Sequence, residues 1–335
     1  MTSPISPVRS LEWQAGGLRL LDQTALPQRV VHLDIVEVDD LVDAIRRLAV
    51  RGAPALGAAG AFGVAVALLQ GEREGWGRER LDGEIGRIRD ARPTAVNLAG
   101  GVDRVTPLIP QGVDAVLAEA HAVAREDIQA NHAIGRNGAD WILSRVERRP
   151  LRVLTHCNTG SLATAGWGTA LGVIRELHAR GLVEVVYVDE TRPLLQGSRL
   201  TAWELDQEGI PHLVQPDGAA ASTILRGLVD VAVIGADRIA LNGDTANKIG
   251  SVGVALACAD AGIPFVVAAP RTTFDDATPT GDGITIEERP ESEVLEWAGT
   301  RVAPAGSRAF NPAFDVTPAR LISAIVDENG VRDTF

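Results

Sequence analysis

The chain has 335 residues, 45% of them hydrophobic and 23% charged, which is enough apolar material for one large domain or two ordinary ones. Its formal net charge of -12 offers no electrostatic footprint for nucleic acid or an anionic membrane, since both need clustered positive charge, so any phosphate must be held locally. The two cysteines, Cys157 and Cys258, stand in unlike contexts, which argues against a disulfide framework and for a reducing, cytoplasmic setting.

The first residues carry no basic stretch followed by an apolar one, so no signal peptide is expected. Residues 11–36 alternate and are broken by Gly16-Gly17 and Pro27, which predicts a small antiparallel hairpin. Leu41, Ala44, Ile45 and Leu48 then recur at helical spacing. Arg51-Gly52-Ala53-Pro54 interrupts that pattern, and the proline suits the first turn of a following helix, so Arg51 stands beside a helix start. The run Gly52–Leu69 approaches membrane-span length, but its many glycines and alanines make it weakly hydrophobic and predict a packed helix. A charged helical stretch over 72–92 ends at Arg92-Pro93-Thr94, a second arginine at a helix start. Residues 113–146 read as one or two long helices.

Near Pro150 short β-branched runs begin to alternate with helical stretches, at 151–155, 183–188, 212–214, 229–234 and 264–268. That alternation predicts βαβ units in a mostly parallel, Rossmann-like sheet. The expected fold is therefore α/β, with a mainly helical domain carrying a small β element over 1–147 and a Rossmann-like domain over 148–335. A last helix is expected over 319–326.

The stretch Leu151–Gly168 reads as a buried strand, a polar glycine-rich turn and then a helix. Open α/β sheets bind ligands at such strand ends. Cys157 lies in the turn, where N–H donors of a nearby helix start would favour a reactive thiol. The strand Val231–Ile234 runs into Gly235-Ala236-Asp237-Arg238, which puts an acid at an equivalent place. Beyond it, Asn247 and Lys248 fall in an expected loop before a glycine-containing helix, where a lysine and helix N–H groups could hold a phosphate. A third strand end carries Asp189-Glu190-Thr191-Arg192, with Gln196 downstream. The plainer readings are that Cys157 is a small buried side chain, that Asp237 caps a helix or pairs with Arg238, and that Arg51 and Arg92 form surface ion pairs. His156 should point away from Cys157 and is read as structural, and Cys258 as core. No metal-ligand spacing, dinucleotide fingerprint or Walker loop occurs, so no metal and no cofactor are expected.

Arg51-Gly52-Ala53-Pro54, Arg92-Pro93-Thr94-Ala95-Val96-Asn97-Leu98, Thr155-His156-Cys157-Asn158-Thr159-Gly160, Asp189–Gly197 and Gly235-Ala236-Asp237-Arg238 with Asn247-Lys248-Ile249-Gly250 together resemble the methylthioribose-1-phosphate isomerase family. That family is kin to the alpha, beta and delta subunits of translation initiation factor 2B. The resemblance runs nearly end to end. It implies a homodimer that acts on a small sugar phosphate, with Cys157 and Asp237 as the catalytic pair and Asp237 as proton donor. It further implies that Arg51, Gly52, Ala53, Arg92, Gln196, Asn247 and Lys248 bind substrate. Opening the sugar ring would need Asp237 held protonated in an apolar, desolvated pocket. Isomerases of 5-deoxyribose 1-phosphate or ribose 1,5-bisphosphate would use the same chemistry, and a non-catalytic regulatory subunit is the alternative from a different class.

Overall fold

In the computed structural model, which describes residues 8–92 and 96–333, the early alternation becomes three antiparallel strands, β1 (Leu11–Gln14), β2 (Gly17–Leu21) and β3 (His32–Ile35). This is one strand more than a hairpin. Helices α1 (Val38–Arg46), α2 (Ala53–Glu74), α3 (Arg78–Arg89) and α4 (Val96–Val105) follow, and then α5 (Val113–Arg145), a single long helix. The apolar run is α2, and it is buried along most of its length in a core with α1, α3, α4 and β2. Packing against those partners accounts for its composition.

Gly52 opens α2 with a φ of 94°, a backbone state that side chains rarely tolerate. A Cβ there would lie 2.3 Å from the Ala163 carbonyl oxygen, so the entry to α2 is pressed against the Ser161–Ala163 turn. The chain forms two compact units. One takes the described residues up to 133 together with Thr159–Gly172, and the other takes Ile134–Asn158 and the described residues from 173 onward.

The second unit is built on a seven-stranded sheet. Its strands include β4 (Leu151–Thr155), β5 (Val183–Asp189), β6 (His212–Gln215) and β7 (Val231–Ile234), with α6 (Ala170–Ala179), α7 (Ala202–Gln207) and α8 (Ala220–Leu225) between them in sequence. The chain continues through β8 (Arg238–Ala240), β9 (Thr245–Lys248), α9 (Ser251–Ala261), β10 (Phe265–Ala268) and β11 (Phe274–Asp275). It ends with β12 (Glu296–Trp297), β13 (Thr300–Arg301), β14 (Phe314–Thr317), β15 (Ala324–Asp327) and β16 (Gly330–Asp333). The sheet order is β16-β15-β10-β7-β4-β5-β6, parallel except for β16 at one edge. β7 and β10 are buried at every residue, the mark of strands covered on both faces.

The expected last helix does not form. Residues 319–321 make one 3-10 turn, and β15 pairs with β10 instead, because Ala324, Ile325 and Val326 bury fully as a strand between two others. A second, four-stranded sheet of order β11-β8-β9-β14 grows from the end of β7.

His156 leaves β4 and ties three segments together. Its Nδ1 lies 2.9 Å from Asp189 Oδ2 at the end of β5, and its Nε2 lies 2.9 Å from the Ile249 carbonyl oxygen after β9. Asp189 Oδ1 accepts from Gln215 Nε2 at 2.8 Å, and Gln215 Oε1 accepts from Thr223. A carbonyl oxygen and a carboxylate both need a proton from the ring, so the imidazole is held as a cation. Burial alone would push its pKa down. The Asp189 hydrogen bond and charge, the Ile249 carbonyl and Asp217 outweigh it and hold His156 above its ordinary value.

The stability that His156 supplies by carrying a charge should be fully present below its unfolded pKa of about 6.5 and be lost as pH rises through the raised folded value. His156→Asn, followed by denaturant unfolding, should cost about 3 kcal/mol or more near pH 6. The cost should be smaller near pH 9, and an equal loss at about pH 6 and about pH 9 would mean that the ring is not charged.

Candidate active site

β4 lies between β7 and β5, with Leu154 opposite Ala232 on one side and Tyr187 on the other. Their carboxyl ends therefore deliver Asp237, Cys157 and Asp189 side by side along one rim of the sheet. Thr155 Oγ1 reaches across to the Val233 carbonyl at 2.8 Å and fixes β4 against β7 just before the two chains diverge.

Cys157 is 6% exposed and adopts a φ of 64°, in the left-handed region. The expected helix does not follow directly. A single 3-10 turn, Ser161–Ala163, comes first, and α6 begins only at Ala170. The Cys157 N–H is bound instead by a side chain, Thr191 Oγ1, at 2.8 Å. Cys258 is fully buried on α9, where burial pushes its thiol up to about 12. It is a core residue.

Asp237 sits between β7 and β8 and is exposed. Its N–H donates to the Ala246 carbonyl at 2.9 Å, which continues the β8–β9 pairing and brings it next to Asn247. Among the described residues Asp237 is thus left exposed, in place of the expected apolar enclosure. Arg238 pairs with Asp275 at 3.6 Å.

Asn247 and Lys248 are on strand β9, not in a loop, because β9 is paired on both sides, by β8 and by β14. Both are buried. Asn247 Nδ2 donates to Ser251 Oγ at 2.9 Å. Lys248 Nζ donates to the Ala313 carbonyl at 2.7 Å and lies 4.5 Å from the centre of the Phe314 ring. The start of α9 is already engaged: Asp315 Oδ2 accepts the N–H groups of Gly250 and Val252 at 2.8 and 3.2 Å. The expected helix-start donors for phosphate are thus taken by a carboxylate. Burial pushes the Asp315 carboxyl up, against those two N–H groups and His156, which pull it down.

Gln196 is 5% exposed, and its Oε1 has no hydrogen-bond partner. It precedes a π-helical turn, Gly197–Thr201, of a kind that often marks functional sites. A Cβ at Gly197 would fall 1.7 Å from the Asp189 carbonyl oxygen, so only glycine lets this turn fold back over the end of β5. Cys157, Gln196, Asp237, Asn247 and Lys248 belong to one unit. Arg51, Gly52, Ala53 and Arg92 belong to the other. Arg51 is buried at the entry to α2 and Arg92 is half-buried, while the residues just after Arg92 lie outside the described part. By its burial Arg51 is not a simple surface ion pair.

Three residues escaped the sequence reading, Glu204, Arg175 and Thr201, and they join Asn158 of the Cys157 motif. Asn158 Nδ2 donates to Glu204 Oε1 at 2.7 Å, and Glu204 Oε2 accepts from the fully buried Arg175 at 2.7 Å. Thr201 completes the set by donating to the Cys157 carbonyl. No local motif flags Glu204, Arg175 or Thr201, since each acts across a long sequence gap. His156, Asp189 and Asp217 are close enough to hold a metal ion. The oxygens of both carboxylates nevertheless already accept bonds from His156, Gln215 and the Thr191 and Arg192 N–H groups, the pattern of a hydrogen-bonded network. A cavity of about 640 Å³ lies elsewhere, where β10 and β15 begin, and touches none of these residues.

The family model described as the initiation factor 2 subunit family matches residues 49–334. The chain is 46% identical to the methylthioribose-1-phosphate isomerase of Thermosynechococcus vestitus, over 99% of this chain and 95% of that one. It is 53% identical, over 96% of its length, to a probable bifunctional methylthioribose-1-phosphate isomerase/methylthioribulose-1-phosphate dehydratase of Nocardia farcinica, of which it spans 58%. Among solved structures it is similar to 5-methylthioribose 1-phosphate isomerase from Pyrococcus horikoshii, with a TM-score of 0.88 and 36% identity over 97% of this chain and 92% of that one. It is also similar to an A. fulgidus protein described as translation initiation factor eIF-2B subunit delta, with a TM-score of 0.85 and 40% identity over 97% and 96%. The chain belongs to the initiation factor 2 subunit family and, within it, to the methylthioribose-1-phosphate isomerases.

Proposed function

We propose that the chain is an aldose–ketose isomerase that converts 5-methylthio-α-D-ribose 1-phosphate to 5-methylthio-D-ribulose 1-phosphate, a step of methionine salvage. The observation that carries this reading is the pairing of β4 with β7, which sets a buried thiol and an exposed carboxyl at neighbouring strand ends. The relatives named for this reaction supply the substrate class.

The phosphate on C1 locks the sugar as a cyclic acetal. Asp237 gives a proton to the ring oxygen as the bond from that oxygen to C1 breaks. Because Asp237 is exposed, the desolvation that keeps it protonated has to come with the sugar that covers it. Hydrogen then moves from C2 to C1, and the hydroxyl on C2 loses its proton to become the ketone. Cys157 serves this step, either by carrying the C2 proton to C1 through an enolate or by flanking a direct hydride shift.

Lys248 holds the phosphate, with Gln196 and Asn247 at the sugar, and the family resemblance assigns Arg51, Gly52, Ala53 and Arg92 to substrate binding as well. Lys248 is well suited to this because its amine is pinned by a carbonyl and an aromatic ring, so little freedom is lost on binding an anion. A reducing cytoplasm fits the two free, buried thiols, and a homodimer is what the family resemblance implies.

Cys157→Ser and Asp237→Asn should each lower kcat by about 10²-fold to 10⁴-fold while the unfolding midpoint stays close to that of the parent. An Asp237→Asn enzyme that kept most of its rate would remove the acid from the mechanism. Lys248→Ala should act mainly on KM, raising it about tenfold or more. An unchanged KM would separate Lys248 from the phosphate.

A further inference from the structure

We propose that Thr191 and Thr201 are positioning residues that clamp the backbone of Cys157 and so aim its thiol. The inference rests on the catalytic reading of Cys157. A residue with a side chain at a φ of 64° keeps that conformation only if its surroundings hold it there. Two hydroxyls do so, one on each side of the Cα atom. The Cys157 N–H donates to Thr191 Oγ1 at 2.8 Å, and Thr201 Oγ1 donates to the Cys157 carbonyl at 2.6 Å. Both threonines are fully buried.

The hydrogen-bond count decides between positioning and substrate contact. Each hydroxyl has one proton to give. That of Thr191 goes to the Asp189 carbonyl at 2.9 Å, and that of Thr201 goes to the Cys157 carbonyl. Neither has a proton left for a sugar, a phosphate or the thiol, so their effect on the chemistry passes through Cys157.

The clamps are themselves anchored. Thr191 also has a positive φ, of 65°, and its N–H donates to Asp217 Oδ1 at 2.7 Å. Thr201 closes the π-helical turn that follows Gln196, and its Oγ1 accepts from Asn158 Nδ2 at 3.2 Å. Asn158 in turn is held by Glu204, and Glu204 by Arg175. One loop, running from the end of β5 into α7, thus carries both clamps. A buried threonine that merely filled space would be served equally well by valine, which has the same shape, and this makes the proposal testable.

The test compares Thr191→Val and Thr201→Val with Thr191→Ser and Thr201→Ser, measuring kcat, KM, unfolding midpoint and the rate at which iodoacetamide alkylates Cys157. Each valine variant should lose about tenfold to a hundredfold in kcat, with KM within about twofold of the parent. Its Cys157 alkylation rate should change, and each serine variant should recover kcat to within about threefold. Valine variants that keep their kcat, or serine variants that fall as far as valine, would overturn the proposal. If a valine variant does not fold, Thr→Ala at that position is read by the same rule. Cys157→Ser is assayed alongside. If it turns over normally, the catalytic reading of Cys157 fails and the clamp falls with it; if it is inactive while the valine variants are not, only the clamp is overturned.

Discussion

The parallel pairing of β4 with β7 on one side and β5 on the other is the constraint from which the site follows. Three short strands in one register can send their carboxyl ends in only one direction, so residues 80 positions apart, Cys157 and Asp237, leave the sheet at the same rim. β7 is wholly apolar, and the polar residues at or just beyond the carboxyl ends of β4 and β5 are held by bonds that cross between strands: Thr155 to Val233, His156 to Asp189, and Cys157 to Thr191.

Electrostatics on this rim runs against the charge of the whole chain. The chain is strongly acidic, yet an imidazolium and a lysine are buried beside the proposed site. Each is compensated locally, His156 by Asp189 and Lys248 by a carbonyl and an aromatic face. Asp315 fills the start of α9, so the helix dipole there is already answered from within the protein. That leaves less of the α9 start open to an anion than the sequence suggests.

Much of this was legible in the sequence, for a physical reason. Strands buried on both faces must be short apolar runs, and β4, β7 and β10 stand out as such between helical stretches, while the partly buried β5 stands out by its valines. The errors share a cause as well. Residues 319–326 have a spacing that suits a helix or a strand, and only the neighbouring β10 decides. β9 has little apolar character and becomes a strand because β14, far along the chain, pairs with it. Thr191 stands in a sequence motif without a role there and Thr201 in none, since what they do depends on a loop with two positive φ values at Thr191 and Leu195 and a π-helical turn, none of which leaves a pattern in the residues. The enclosure expected around Asp237 was inferred from the chemistry it is asked to do, and the chain alone leaves that carboxyl exposed.

The most direct measurement is turnover of methylthioribose 1-phosphate by the purified chain, followed by carbon NMR so that the C2 ketone is seen as it forms. The account predicts conversion to the ribulose phosphate without any added protein, and faster conversion than of 5-deoxyribose 1-phosphate or ribose 1,5-bisphosphate. A chain that binds a translation factor stably and leaves the sugar phosphate unchanged would contradict it.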